Sequence, residues 1–451
     1  MPRAATRAPS ILLVVADQLR GRDLRAMGNA QVRTPNIDGL ASRGVLASHC
    51  YANTPVCCPN RATLFSGLYP MRHTVIGNDL PVPDDVRFVS EPLRDAGYRT
   101  GYIGKWHLDG VPRDKFTPPG PRRHGFEFWA AYNCSHDYFR PRYYRDTDQV
   151  VLATGYEPEV QTGLAVDFLA ELDDTDPFFL VISWGPPHDP YDQVPERFRR
   201  DYRAAEVGVP PNVPADRDRL AGTVRDYYAA ITALDEQVGR LMRALRALRR
   251  DDDTLTVFTS DHGDMLGAHG WMNKQLPHEE AVHVPLVACW PDGLPAGVVR
   301  DGLLSSVDLA PTLLGMVGVP SPGAVDGCDR SGLLRDSGAG AEHVFLHNMT
   351  RFDESIRSGK PEWRGIRSGR WTYAETVGRR PWLLFDNHAD PWQLHNLIDD
   401  AATTSSRQRL AAILNEHLLS TRDPFLDTPR MIEHLDLLDA WNDRERALRP
   451  V

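Results

Sequence analysis

The chain predicts an α/β fold: a large, mostly parallel to mixed sheet sandwiched by helices, then a smaller α+β unit of antiparallel strands and helix. Three observations predict it. Short apolar runs rich in β-branched residues alternate with helical patterns, as in a parallel sheet covered on both faces. Four of five such runs lead straight into polar residues of catalytic type. Past residues 320–340, rich in Gly, Ser, Pro and Asp, the pattern changes to closely spaced strands and turns. The expected division is residues 1–335 and 336–451.

The first run, Ile11–Val15, ends at Asp17-Gln18. It follows two Arg in residues 1–9, as a secretory h-region would. The apolar run is about six residues, below the ~7–15 such a region needs. The expectation is a first buried strand in a cytoplasmic protein. Arg99–Ile103 leads into Gly104-Lys105-Trp106-His107, and Phe178–Ser183 into Pro187-His188-Asp189. A helix from about Val224 to Arg249 carries Ile231, Leu234, Val238, Leu241, Leu245 and Leu248 on one stripe. Leu255–Thr259 ends at Asp261-His262-Gly263, and Val284–Cys289 is a fifth strand. A helix over Asp308–Val317 has Asp308 as cap or first-turn acid. The second unit offers strands at Val344–His347, Arg364–Ile366, Trp371–Tyr373 and Leu383–Phe385. Helices follow near Ser405–Leu418 and Arg430–Leu448. The last is amphipathic and could pack on its own chain or on a neighbour, so a homo-oligomer stays open.

In an open parallel sheet, sites form at the carboxyl ends of the strands. The polar residues just named should therefore converge on one cleft.

Composition narrows the function. Lys and Arg number 51 and Asp and Glu 61, for a formal charge of −10. An acidic chain without basic runs disfavours nucleic acid and anionic membranes as partners. No apolar stretch approaches the ~20 residues of a spanning helix. The six Cys have irregular spacing and suggest no disulfide framework. Only four residues are Lys: Lys105, Lys115, Lys274 and Lys360. Most surface cations can be either type, but a site that needs a compact ammonium on a flexible stem cannot accept Arg freely.

Asp17, Asp261 and His262 at two strand ends suit a hard cation, with the imidazole shifting the choice somewhat toward Mn²⁺. Pro59 suits a first helical turn, which puts Cys57 near a helix N-terminus where an anion is favoured. Arg61 adds a fork of donors for a tetrahedral oxyanion.

Cys57-x-Pro59-x-Arg61, followed by Ser66-Gly67, resembles the signature of the sulfatase family. Only Cys57 fits the register, because Cys58 would put Asn60 where Pro is required. The resemblance extends through Ile11 to Gln18, Thr34 to Ala41, Gly97 to Leu108, and Thr259 to Gly267 with Lys274 downstream.

The resemblance implies a formylglycine enzyme that cleaves an aryl or carbohydrate sulfate monoester. Cys57 would be oxidised by a maturation enzyme, and its hydrate would be the nucleophile. Asp17, Asp261, His262 and residue 57 would bind one divalent cation, with Gln18 a weak or outer ligand. Ca²⁺ is the first choice, then Mn²⁺ or Mg²⁺. Arg61 would help activate and orient the hydrate. Lys105 and His107 belong to the sulfate site, and Lys274 would bind a sulfate oxygen and the bridging oxygen. His188 would protonate the leaving alcohol, and His107 would take the proton whose loss expels sulfate.

Many relatives have Asp at the Gln18 position and Asn at the His262 position. The Gln and His variants resemble choline sulfatases and phosphonate monoester hydrolases. A phosphonate monoester or phosphodiester hydrolase is therefore the alternative reading. The phosphonate enzymes typically lack the Lys105–His107 pair, which favours sulfate here. Specificity is expected from Trp129–Tyr144 and from the segment near His347–Glu354.

Overall fold

A computed structural model describes residues 8–214, 217–336, 338–352 and 354–448. Residues 1–7, with two Arg of the leader-like segment, lie outside the described residues, as does Asp353 of the segment near His347–Glu354.

Nine strands form the main sheet. They are β1 (Ser10–Asp17), β2 (Val45–Tyr51), β3 (Arg99–Lys105), β4 (Phe128–Tyr132) and β5 (Phe178–Pro187), then β6 (Thr254–Ser260), β7 (His283–Cys289), β8 (Val298–Arg300) and β9 (Leu304–Ser305). The spatial order is β8-β2-β7-β6-β1-β5-β3-β4, with β9 also paired to β2. β1 is central and parallel to both neighbours, with Ile11 opposite Phe179 and Leu255. β7 runs antiparallel to β2 and β6, so one side of the sheet is mixed.

Every residue of β1, β5, β6 and β7 is buried. The pleat sends Ile11, Leu13 and Val15 into one core and Leu12, Val14 and Ala16 into the other. Burial on both faces explains why these strands read as near-continuous apolar runs. The sequence pattern does not reveal β2, β4, β8 or β9. β2 is interrupted by half-buried Ser48 and His49, and β8 and β9 have only 3 and 2 residues.

The helices that position the site are α1 (Pro35–Ser42), α2 (Cys57–Ser66), α3 (Glu157–Ala170), α4 (Arg217–Ala247) and α5 (Ser306–Val317). α4 buries Ile231, Leu234, Val238, Leu241 and Leu245, the expected stripe, but begins earlier than the apolar pattern shows. α5 opens with a capping box in which the Ser305 side chain and the Asp308 carboxylate exchange bonds with each other's backbone.

The second sheet is an antiparallel meander of β10 (His343–Asn348), β11 (Trp363–Ser368), β12 (Trp371–Thr376) and β13 (Arg380–Asp386). α6 (Thr404–Ser420) covers one face through Leu410, Leu414 and Leu418. Leu346, Trp363 and Ala374 on the other face pack on Tyr51 and Val282 of the main unit. The helix expected over Arg430–Leu448 is two: α7 (Thr428–His434) and α8 (Leu438–Leu448). Asp436 between them has a φ of 55°, which no helix continues through. Ile432, Leu435, Leu437 and Trp441 of this tail pack on the main core of their own chain. Among the described residues, no helix is long and apolar enough to cross a membrane.

Candidate active site

Strand ends deliver the site. Asp17 closes β1, and Asp261-His262 follow β6 beside it. His188 follows β5. Lys105 closes β3 after Gly104, which has a φ of 102° and whose Cβ would lie 2.1 Å from the Ser183 carbonyl oxygen. Only glycine allows that approach. Cys57 is the first residue of α2, whose ten residues are all buried. Gly67, at a φ of 69°, ends α2 by donating to the Thr63 carbonyl, so the motif's glycine is a C-terminal cap.

Ligand atoms of Asp17, Cys57, Asp261 and His262 all lie within 4.8 Å of one another. The Cys57 Sγ sits 3.2 Å from His262 Nε2 and accepts from Lys274 Nζ at 3.2 Å. Lys105 Nζ lies 4.0 Å from the same sulfur and pairs with Asp17 Oδ2. Arg61 donates through Nε to Asp261 Oδ2 at 2.9 Å, and through Nη1 to the Lys105 carbonyl at 3.0 Å and Ser183 Oγ at 2.6 Å. Its Nη2 is 3.5 Å from Asp17 Oδ2 and makes no aligned hydrogen bond.

This donor set fits a hard divalent cation. His262 Nδ1 donates to the Gly263 carbonyl at 2.9 Å, which leaves the Nε2 lone pair for the group's centre. Two carboxylates and one imidazole face that centre, and the sulfur is the one soft member. Gln18 borders this group, its backbone N–H donating to Asp261 Oδ1 at 3.1 Å. Its Oε1 accepts from Lys274 Nζ at 2.7 Å and its Nε2 donates to Asp264 Oδ2 at 2.8 Å.

The electrostatics follow from this packing. Burial and the neighbouring sulfur push Asp17 up, but Lys105, His188 and Arg61 outweigh them and hold it far below its ordinary value. Burial raises the Cys57 thiol, yet Lys105, Lys274 and His262 pull it well down. Burial opposes charge on Lys105 and Lys274, but Asp17 and the sulfur keep both ammoniums charged. Burial and Lys274 oppose charge on His188, whereas Asp17, the sulfur and Asp189 raise it overall. Burial likewise opposes charge on His107, and Cys134, Cys58 and Asp79 raise it.

His188 Nδ1 donates to the Asp189 carbonyl at 2.7 Å, so Nε2 accepts from Lys274 Nζ at 2.8 Å. Its ring stacks on His136 at 4.5 Å. These groups line a cavity of about 280 Å³ with Asn78, Arg113, Asn273, Phe352 and Arg357. A larger cavity of about 790 Å³ between the two sheets, beside Arg22 and Trp392, touches none of the expected catalytic residues. Size alone therefore does not mark the site.

The sequence pattern did not single out Asp79, Arg113 or Arg357, whereas His136 and Phe352 fall in the two segments from which specificity was expected, and both line the cavity. Trp129, Tyr132 and Tyr138 are buried packing residues; only Phe139 of that aromatic group is exposed. Lys360, with no role readable from sequence, is buried and donates to the Met272 and Lys274 carbonyls at 2.8 Å each. It braces the loop that presents Lys274.

Several known proteins are similar to this chain. The family model described as Sulfatase matches residues 9–319, and the N-sulphoglucosamine sulphohydrolase C-terminal model matches residues 267–420. An ulvan-active sulfatase of Formosa agariphila is 35% identical, covering 92% of this chain and 82% of the relative. An N-acetylglucosamine-6-O-sulfatase of Bacteroides thetaiotaomicron is 24% identical, over 91% and 86%. The solved structure of the putative sulfatase yidJ from Bacteroides fragilis superposes with a TM-score of 0.86 at 30% identity, covering 94% of this chain and 98% of that one. The phosphonate monoester hydrolase of Agrobacterium radiobacter gives 0.75 at 27% identity, over 93% and 96%.

Proposed function

The chain belongs to the sulfatase family and is a sulfuric ester hydrolase; on that premise we propose that residue 57 acts as formylglycine, beside one divalent cation. One observation carries the reading. Cys57, at the head of α2, shares a buried group with Asp17, Asp261 and His262, and two ammoniums converge on its sulfur. The cation would be held by Asp17, Asp261, His262 and residue 57, with Ca²⁺ preferred over Mn²⁺ or Mg²⁺. Oxygens in place of the sulfur would make the donor set uniformly hard apart from the imidazole.

The hydrate of formylglycine supplies a hydroxyl nucleophile, and the cation supplies charge that favours its ionised form. Arg61 orients residue 57 through its hold on Asp261 and stands beside the sulfate. Lys105 and Lys274 bind sulfate oxygens and stabilise the charge that builds on them. Lys274 gives up its contact with His188 Nε2 to do so. That nitrogen then takes up a proton from solvent, and the resulting imidazolium delivers it to the departing alcohol. His107 accepts the proton whose loss lets sulfate leave. A maturation enzyme is the partner this chemistry requires.

The preferred substrate class is a carbohydrate sulfate. Support comes from the similarity to an N-acetylglucosamine-6-O-sulfatase and from Phe352 and Arg357 lining the cavity. Gln18 and His262, with the likeness to a phosphonate monoester hydrolase, favour the second reading. Lys105 and His107 at the cavity weigh against it. Residues 1–335 are taken as the catalytic unit and 336–451 as the C-terminal unit. A cytoplasmic location is supported by six free cysteines, five of them buried.

Two measurements test the proposal. After co-expression with a maturation enzyme, the peptide containing residue 57 should be lighter by about 18 Da, the change from thiol to aldehyde. Matured protein should hydrolyse an aryl sulfate faster than an aryl phosphonate monoester. The reverse preference would move the function to the second reading.

A further inference from the structure

His107 Nε2 lies 3.1 Å from Asp79 Oδ1. Among the described residues its buried Nδ1 makes no aligned hydrogen bond, and the Cys57, Cys58 and Cys134 sulfurs lie close to the ring. Asp79 is 1% exposed, and its carboxylate also accepts from Arg113 Nε at 2.9 Å and Nη2 at 2.8 Å. Arg113 and His107 hold it well below the ordinary carboxylate range despite its burial. An ionised carboxylate only accepts, so the proton between Asp79 and His107 belongs to Nε2.

The backbone fixes this pair relative to residue 57. Asp79 N–H donates to Cys58 Sγ at 3.2 Å, and Cys58 N–H donates to Asn78 Oδ1 at 3.0 Å. The Asn78 carbonyl in turn accepts from buried Arg444 of α8 at 2.8 Å. Asp79 has a φ of 65° and His107 a φ of 56°, two non-glycine residues in the left-handed region. Such strain persists where the surroundings over-determine a conformation, and it concentrates at functional sites.

We propose that Asp79 is the positioning residue for His107: it keeps the proton on Nε2, so that exchange with residue 57 runs through Nδ1. The step balances. The residue-57 hydroxyl loses H⁺ to the Nδ1 lone pair, its electrons form the carbonyl, and sulfate leaves with the bonding pair. Asp79 then faces an imidazolium whose positive charge it offsets. The proposal rests on the formylglycine reading above, because only then has His107 a proton to take.

Nitrogen-15 histidine NMR on the chain with unmodified Cys57 reads this directly, with His107→Gln assigning the signals. Nε2 of His107 should carry a proton. In Asp79→Asn its shift should move, and the matured variant should lose about 10²- to 10⁴-fold in kcat, with KM changed by less than about threefold. A bare Nε2 with the proton on Nδ1, or protons on both nitrogens, overturns the proposal. So does a matured Asp79→Asn with kcat within about threefold of the parent. The NMR arm needs no turnover, so an intact Nε2–H with no sulfatase activity would indict the functional reading instead. The parent's spectrum also decides the matter if the variant fails to fold.

Discussion

Buried charge is arranged in opposite ways at the second sheet and at the active site. At the second sheet, Arg364 and Asp423 are 0% and 1% exposed and meet through bonds of 2.5 and 3.2 Å. Arg367 and Glu279 pair nearby at 2.7 Å. There each cation has its own anion. At the active site, Arg61, Lys105 and Lys274 crowd round two carboxylates and one sulfur. Among the described residues, neither Arg61 Nη2 nor His107 Nδ1 makes an aligned hydrogen bond. Paired charge of the first kind holds strands and helices in register. Converging positive charge of the second kind is poised for an anion that folding does not supply.

Five substitutions break or sharpen that contrast. Cys57→Ala should give the largest effect, a loss of at least about 10⁴-fold in turnover with little change in stability, because it removes the nucleophile and nothing structural. Sulfate-release kinetics together with urea unfolding check both halves; unaltered turnover would refute the assignment. Arg364→Met should do the opposite. It strands Asp423 and should cost about 3–5 kcal/mol of stability, while kcat per folded molecule stays near that of the parent.

Lys105→Arg and Lys274→Arg should each lose about 10²- to 10³-fold in kcat. Lys105 is 0% exposed, and its ammonium lies between Asp17 and the residue-57 sulfur. Near-normal turnover in both would mean that any cation serves there.

The smallest effect concerns pH. Burial pushes Glu157 up to about 7, although Tyr132 and the Gly185 N–H donate to it. Its folded value lies above its unfolded one, so its contribution is complete below about pH 4.5 and is lost as pH rises through 7. Glu157→Gln should therefore gain on the parent by up to about 3 kcal/mol between pH 5 and 8. Parallel unfolding curves across that range would show that Glu157 does not titrate there.

Legibility in the sequence followed locality. The five strands buried on both faces were readable because burial on both faces writes a continuous apolar run. β2 was not, because Ser48 and His49 interrupt it; β8 and β9 were too short to write a pattern. Cys57, Pro59, Arg61 and Gly67 were readable because one helix with its ends carries them all. Gln18 was legible as a strand-end residue but not in its direction. Its φ is 68°, and its amide bonds Lys274 and Asp264.

The sequence by itself determined which side chains could do chemistry here, and that they stand at the ends of strands. Its composition isolated four lysines, and the motifs assigned Lys105 and Lys274 to the sulfate site while giving Lys115 and Lys360 no role. Tertiary structure alone decided that Lys105 and Lys274 meet at one sulfur and that Lys360 braces the loop of one of them. It alone left Lys115, whose side chain is 38% exposed, beside Asp109. Local patterns encode a face or a turn. Asp79 reaching His107, or Arg444 reaching Asn78, depends on chain segments brought together by packing, and no spacing rule records that meeting.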